Sequence, residues 1–337
     1  MEEPVSTADT PYAGLTPDVV LDAVDSAGFR SNGSLLALNS YENRVYQVGI
    51  EDALPLVAKF YRPGRWTDAA ILEEHAFGLE LAAQEIPVVP PLQDKAGRSL
   101  HQHAGYRFAL FRRQGGRAPD LERHEQLEWL GRFLGRIHAV GAAQPFRHRH
   151  HIDTLTYGQV PRDWLLESTF IPAELKPRYK EVTDLLLSGI SRCYERAGRV
   201  RELRLHGDCH PGNLLWTDDG PHFVDLDDCG TGPAVQDLWM LLSGERQDMQ
   251  MQLESVLEGY RQFMDFDARE LWLVEPLRSL RMIHYAGWIA RRWHDPAFPR
   301  AFPWFDAPRY WEEHLQALRE QVPLLDEPPL DIDAGNR

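Results

Sequence analysis

Residues 205–228 read LHGDCHPGNLLWTDDGPHFVDLDD and concentrate side chains that can hold a hard cation and take up a proton. LLW and HFVDLDD flank TDDGP, whose Asp-Gly pair favours a tight hairpin turn. The hairpin puts Asn213 and Asp225 at the bases of two adjacent strands, with Asp208 in the loop just ahead. Phosphoryl transfer needs such a cluster: one carboxylate to receive a hydroxyl proton, and oxygen ligands for a cation bridging the phosphates. A second chemistry is open here, because His206, Asp208 and His210 have the short spacing of zinc ligands in a metallohydrolase. That reading leaves Asn213 and Asp225 without a role, and no further His/Asp cluster completes the site.

A lysine upstream carries the other signal. The chain has 36 basic residues, and Lys59, Lys95, Lys176 and Lys180 are its only lysines. Lys59 falls mid-strand in LVAKFYR, among apolar neighbours. A lysine on a water-facing edge strand needs no partner, but a buried ammonium does, because leaving it unpaired costs too much. The following helix offers Glu73 and Glu74. On its wheel Ile71, Leu72, His75, Leu79 and Ala82 form the buried stripe. Glu74 borders that stripe while Glu73 points nearly opposite, so Glu74 is the expected partner.

The elements that position these residues follow from caps and periodicity. Thr16, Pro17 and Gly28 bracket a helix over TPDVVLDAVDSAGF. VYQVGI and LPLVAKFYRP read as neighbouring strands. Thr67 caps TDAAILEEHAFGLELAAQ, which Pro87 stops, and RSLHQHAGY leads into RFALF as a further strand pair. RRQGGR is the expected hinge. Beyond it, helices are expected over EQLEWLGRFLGRIHAVG, ELKPRYKEVTDLLLSGISRCYERAG, AVQDLWMLLSG, the stretch near 248–263, and EPLRSLRMIHYAGWIARRW. A strand-rich part followed by a helical part is an α+β, two-lobed pattern. The division expected is an N-terminal lobe over 1–113, loose at 1–15, and a helical C-terminal lobe over 114–337, flexible at 327–337.

HGDCHPGN resembles the catalytic loop of the aminoglycoside-phosphotransferase-like branch of the protein-kinase superfamily, and VDLDD resembles its counterpart of the metal-binding Asp-Phe-Gly. LNSYENRVYQV, VAKFYRP, ILEEHAF, LGRIH, GPAVQDLWMLL and DPAFPRAFPWF extend the resemblance over most of residues 16–330, to bacterial serine/threonine kinases of this fold. The resemblance implies a two-lobed protein-kinase-like fold and Mg²⁺-dependent transfer from ATP, whose adenine would lie against FALFRR. It implies Asp208 as proton acceptor, Asn213 and Asp225 as Mg²⁺ ligands, with Asp225 also catalytic, and Ser40 as an ATP contact. Lys59, steadied by Glu74, would then hold the α/β-phosphates, His206 would buttress the loop, and Asp237 would anchor its backbone. This sequence departs from the protein-kinase pattern twice. LNSYENRVY stands where a glycine-rich loop would be, and His210 stands where a basic residue usually follows the catalytic aspartate. The implied acceptor is a protein serine or threonine, the chain's own included. A small-molecule alcohol of aminoglycoside-, choline- or homoserine-like kind is the alternative. A kinase-shaped binding protein without activity would not need Lys59, Asp208, Asn213 and Asp225 together.

Bulk properties narrow the partners. A formal net charge of −15 argues against a nucleic-acid partner. No apolar run has the length of a membrane span, so no membrane is expected. Three cysteines give no disulfide framework and fit a reducing cytoplasm; Cys209 and Cys229 flank the site and are expected to be buried and inert. A monomer is expected. Asp227, rather than Asp228, is the candidate to assist the metal. FRHRHH, residues 146–151, is read as a charged surface loop in preference to a metal or phosphate patch, and FPRAFPWF as aromatic loop packing.

Overall fold

The computed structural model describes residues 11–331. Thr16 accepts a hydrogen bond from the Val19 N–H at 3.4 Å and so caps α1 (Pro17–Ser26). Val20, Ala23 and Val24 of this helix pack with Val48, Ala58, Phe60 and Phe108 in a core of the N-terminal part. The strands there are β1 (Ser31–Leu38), β2 (Arg44–Ile50), β3 (Leu56–Phe60), β4 (His101–His103) and β5 (Tyr106–Arg112). They form one antiparallel sheet in the order β1-β2-β3-β5-β4. Between β3 and β4 runs α2 (Asp68–Ala83), capped by Thr67 on the Ala70 N–H at 3.2 Å. The strand β1 has no counterpart among the sequence expectations. Its residues are exposed or half-buried, so SNGSLLAL shows no inward stripe.

The chain then turns helical, with α3 (His124–Gly141), α4 (Val160–Glu167) and α5 (Lys176–Ala197). Four short strands follow: β6 (Glu202–Leu205), β7 (Leu214–Thr217), β8 (Gly220–Phe223) and β9 (Gly230–Pro233). The strands β7 and β8 make the expected hairpin, while β6 pairs with β9. The remaining helices are α6 (Val235–Trp239), α7 (Arg246–Tyr260), α8 (Val274–Arg291), α9 (Ala297–Ala301) and α10 (Pro308–Leu324). The α+β, two-lobed architecture is therefore the expected one. Its larger core is helical: α3 and α7 cross so closely that a Cβ on Gly131 would lie 1.9 Å from the Val256 carbonyl oxygen. That contact leaves room only for glycine.

Two expectations about the ends differ from the structure. Residues 11–15 are not loose: the Tyr12 hydroxyl reaches the Glu42 and Phe60 carbonyls at 3.2 Å, and its ring stacks on Tyr106. Residues 327–331 are tied as well. Arg246 donates to the Pro328 and Pro329 carbonyls at 2.8 and 2.7 Å, and Leu330 is buried. Residues 1–10 and 332–337 lie outside the described residues. Within the hinge segment, Arg117 exchanges backbone hydrogen bonds with Trp216 of β7 at 3.0 and 2.6 Å. Among the described residues no helix is long and apolar enough to cross a membrane.

Candidate active site

A cleft of about 820 Å³ lies between the sheet and the helical part. Its floor is the loop joining β6 to β7. Gly207 there has φ +84°, and a Cβ on it would meet the Asp228 carbonyl oxygen at 2.3 Å, so the two acidic loops interlock at this point. Asp237 of α6 holds the loop backbone, accepting from the His206 and Gly207 N–H groups at 2.8 Å each. His138 reaches the same carboxylate at 3.0 Å and Tyr260 at 2.9 Å, so a buried chain running from α7 through α3 fixes the loop. The His206 ring meets the Val224 carbonyl at 2.9 Å and ties the loop to the end of β8.

Lys59 is buried on β3 and is shared by three carboxylates. Its ammonium lies 3.1 Å from Asp225, 3.1 Å from Asp227 and 3.4 Å from Glu74. Burial disfavours its charge, but Asp225, Asp227 and Glu74 outweigh that and hold it above the ordinary lysine range. Burial lifts the Glu74 carboxyl above its usual value, against the pull of Lys59. Glu73 faces away from Lys59. Its carboxylate accepts from the backbone N–H groups of Arg147, His148 and Arg149 at 2.8, 2.7 and 3.1 Å. Ser40 lines the cleft in the glycine-free loop between β1 and β2, its hydroxyl donating to the Asn43 carbonyl at 3.1 Å.

Asp208 opens onto the cleft and is not alone there. Arg281 of α8 reaches one of its oxygens at 2.6 Å, and His210 lies 3.4 Å from the other. Burial opposes ionisation of Asp208, but the His210 hydrogen bond and the Arg281 guanidinium prevail and hold it well below the usual carboxylate range. Asn213 donates through Nδ2 to the Asp208 carbonyl at 2.9 Å, which leaves its amide oxygen as the acceptor end. Asp225 is a half-exposed carboxylate at φ +60°, a strained conformation of the kind found at functional sites. Two hard oxygen donors at the cleft suit a magnesium ion, which keeps its other positions for water and phosphate oxygens.

The structure brings Ser40, Lys59, Glu74, Asp208, Asn213 and Asp225 into one cleft. Among the described residues no group of three or more His, Cys, Asp or Glu side chains could hold a metal alone, which removes the support for the zinc reading. Asp227 is spent on protein cations: it pairs with Lys59 and with Arg65, which also reaches Asp228. Recessed beside Asp227 and Asp208, the Asp228 carboxyl is pushed up to about 6 by burial and by those neighbouring charges, against Arg65. Residues 146–151 are less exposed than a surface loop would be. Arg149 is buried over Trp66 at 4.0 Å and donates to the Cys229 carbonyl at 2.8 Å, while the His150 ring stacks between Trp66 and Tyr157. Cys193, Cys209 and Cys229 are free and buried, and burial pushes the Cys229 thiol up to about 12. Arg65 and Arg281 escaped the sequence reading. Nothing marks either arginine in a chain whose default cation is arginine.

Residues 34–272 match the model of the phosphotransferase enzyme family. Stress response kinase A of Escherichia coli strain K12 is 46% identical over 321 residues, covering 95% of this chain and 97% of the relative. The serine/threonine protein kinase RdoA of Salmonella typhimurium is 45% identical over the same shares. Among solved structures, an amicoumacin kinase in complex with AMP-PNP and Ca²⁺ superposes with a TM-score of 0.69 at 19% identity, covering 91% of this chain and 92% of its own. A microcompartment-associated aminopropanol kinase gives 0.66 at 21% identity, covering 90% and 100%. With a family model spanning most of its length and curated kinases nearly half identical across it, the chain belongs to the phosphotransferase enzyme family and is a kinase.

Proposed function

We propose that the chain transfers the γ-phosphoryl group of ATP, with Mg²⁺, to a serine or threonine hydroxyl of a protein, its own included, and that it serves a bacterial stress response. The observation that carries this reading is one cleft lined both by a buried lysine held among carboxylates and by a loop carboxylate, Asp208, with an asparagine and a second aspartate close by in the sequence. Lys59, Asp208, Asn213 and Asp225 all line it. The names of the relatives at 45–46% identity support the protein acceptor and the stress role. A small-molecule hydroxyl is the second reading, supported by the amicoumacin and aminopropanol kinases among the fold neighbours.

Lys59 would exchange part of its carboxylate shell for the α/β-phosphates, keeping Glu74 as its anchor. Ser40 and the backbone N–H groups of its loop would cover the phosphates, and residues 111–114 would face the adenine. Asn213 and Asp225 would hold Mg²⁺, which when bound neutralises phosphate charge. The acceptor oxygen bonds to the γ-phosphorus as the bond to the β–γ bridging oxygen breaks. ADP leaves with that oxygen, and the hydroxyl proton passes to Asp208. Such a transfer is loose at its transition state, so orientation of the hydroxyl counts for more than basicity. A carboxylate whose proton affinity is held low is adequate for that task.

Asp208→Asn keeps the side-chain shape and removes the proton acceptor, so turnover should fall about 10²–10⁴-fold while ATP still binds. Intact-mass spectrometry after incubation with ATP and Mg²⁺ should show phosphate on the wild-type chain and none on the variant. A variant as active as wild type would sink the mechanism. Labelling confined to a small alcohol would move the acceptor to the second reading.

A further inference from the structure

The acceptor side of the cleft carries a charge pattern that the function above leaves unexplained. Six carboxylates line the cleft, and each already pairs with a cation of the protein. Glu74, Asp225 and Asp227 share Lys59, and Asp227 and Asp228 share Arg65. Glu42 meets Arg62 and Arg292, and Asp208 meets Arg281 and His210. A cationic acceptor would find every carboxylate already beside a protein cation, and the most exposed of them, Asp225, is the one assigned to the metal. An anion would find a cation with spare donors. Arg281 gives Asp208 one guanidinium nitrogen, Nη1, and no other partner is recorded for it among the described residues. A guanidinium has five N–H groups in a rigid fork, and this one is 35% exposed at the cleft wall. Further along the same wall of α8 stand His284, Tyr285 and Trp288; the carboxylate that meets them is Glu42, which accepts from Trp288 Nε1 at 2.5 Å and is already held by Arg292 at 2.5 Å.

We infer that Arg281 reads a negative group beside the acceptor hydroxyl, so that the preferred acceptor is a serine or threonine flanked by a carboxylate or phosphate. This rests on the phosphotransferase reading of Asp208. One prong of the fork stays on Asp208, and the free prongs receive the anionic oxygen. Reactive hydroxyl and neighbouring anion are thereby set at a fixed separation. Arg281 thus determines specificity, and through Asp208 it is also a positioning residue.

The test uses the full chain with ATP and Mg²⁺ and matched peptides with one serine flanked by Asp and Glu, by Ala, or by Lys. Wild type, Arg281→Gln and Arg281→Glu are compared by kcat/KM. The ratio between peptides cancels any loss at Asp208 common to all of them. Wild type should favour acidic over neutral flanks by about five- to tenfold, the scale of a partly exposed, charge-assisted contact. Arg281→Gln should bring the ratio near one, and Arg281→Glu should invert it toward lysine. Equal use of all three peptides by wild type, or an acidic preference that survives in Arg281→Gln, would overturn the inference. Should wild type label no peptide, the protein-acceptor reading fails, and phosphate-bearing alcohols are compared with amino alcohols. Preference for the phosphate-bearing alcohol, lost in Arg281→Gln, sustains the charge inference. Preference for the amino alcohol, or no labelling of any acceptor, ends it.

Discussion

Asp295 is the perturbation that tests how the cleft is held closed. It follows α8 in HDPAFPRAF and is 1% exposed. Its carboxylate accepts from Arg44 of β2 at 2.8 and 2.9 Å, from Arg62 at 2.9 Å and from the Ala297 N–H at 3.0 Å. Arg44 opens β2, Arg62 follows β3 at its end away from the hinge, and Asp295 belongs to the helical part, so this ion cluster joins the two parts. Asp295→Ala would leave both guanidinium groups facing the gap. Breaking a buried pair from one side costs roughly 3–5 kcal/mol. Arg44 is 20% exposed and can turn to water, and Arg62 keeps Glu42 at 3.6 Å, so a cost at or just below that range, about 2–3 kcal/mol, is expected. Thermal unfolding should shift down by about 3–4 °C for a chain of this size. The loop bearing Ser40 would lose its tether, so KM for ATP should rise several-fold more than kcat falls. A melting temperature within a degree of wild type, with KM for ATP unchanged, would refute the clamp.

Two further outcomes follow from single side chains. Glu74→Gln should lower turnover with little effect on melting, because it weakens the anchor of Lys59. Glu73→Gln should do the reverse, because Glu73 holds three backbone N–H groups of residues 147–149; kinetics and calorimetry on both variants separate the roles. Glu270 is buried and accepts from the Val235 N–H at 2.9 Å, and burial pushes its carboxyl up to about 7. A carboxyl raised in the folded state binds an extra proton there, so its favourable contribution is complete at acid pH and is lost as pH rises through about 7. Glu270→Gln should therefore melt progressively higher relative to wild type between pH 5 and pH 8, and a difference that does not vary with pH would contradict the assignment.

What could be read from residue types alone depended on how unusual each residue was in its setting. Thr16 and Thr67 stood directly before apolar periodicity, and both cap helices. Lys59 stood out because lysine is rare here, and the helical wheel distinguished Glu74 from Glu73, although its stripe was drawn off centre: Leu72 is 47% exposed, while Phe77, Gly78 and Leu81 are buried with Glu74. The hairpin was legible from Asp-Gly. The strand β1 was not, because an edge strand open to water on much of its length has no alternation to reveal it. Arg281 was invisible for a different reason. On α8 it is one arginine among several at helical spacing, and only the crossing of α8 over the β6–β7 loop brings it to Asp208. Asp295 was hidden likewise, since its partners lie over 230 positions away in the chain.

The division of labour between the two cations explains why lysine is retained at position 59. Arginine serves wherever two oxygens must be gripped in a plane, as at Asp295 from Arg44 and at the Asp227–Asp228 pair from Arg65. Such forks hold one geometry. Lys59 faces three carboxylates at 3.1, 3.1 and 3.4 Å, from two different elements. A compact ammonium with rotatable donors can serve all three and can give one up to a phosphate oxygen without leaving the others. A planar guanidinium in that buried space would commit its donors to fixed directions and demand more volume. On the proposed reading, a chain that uses arginine almost everywhere keeps a lysine at a buried position where the cation would change partners.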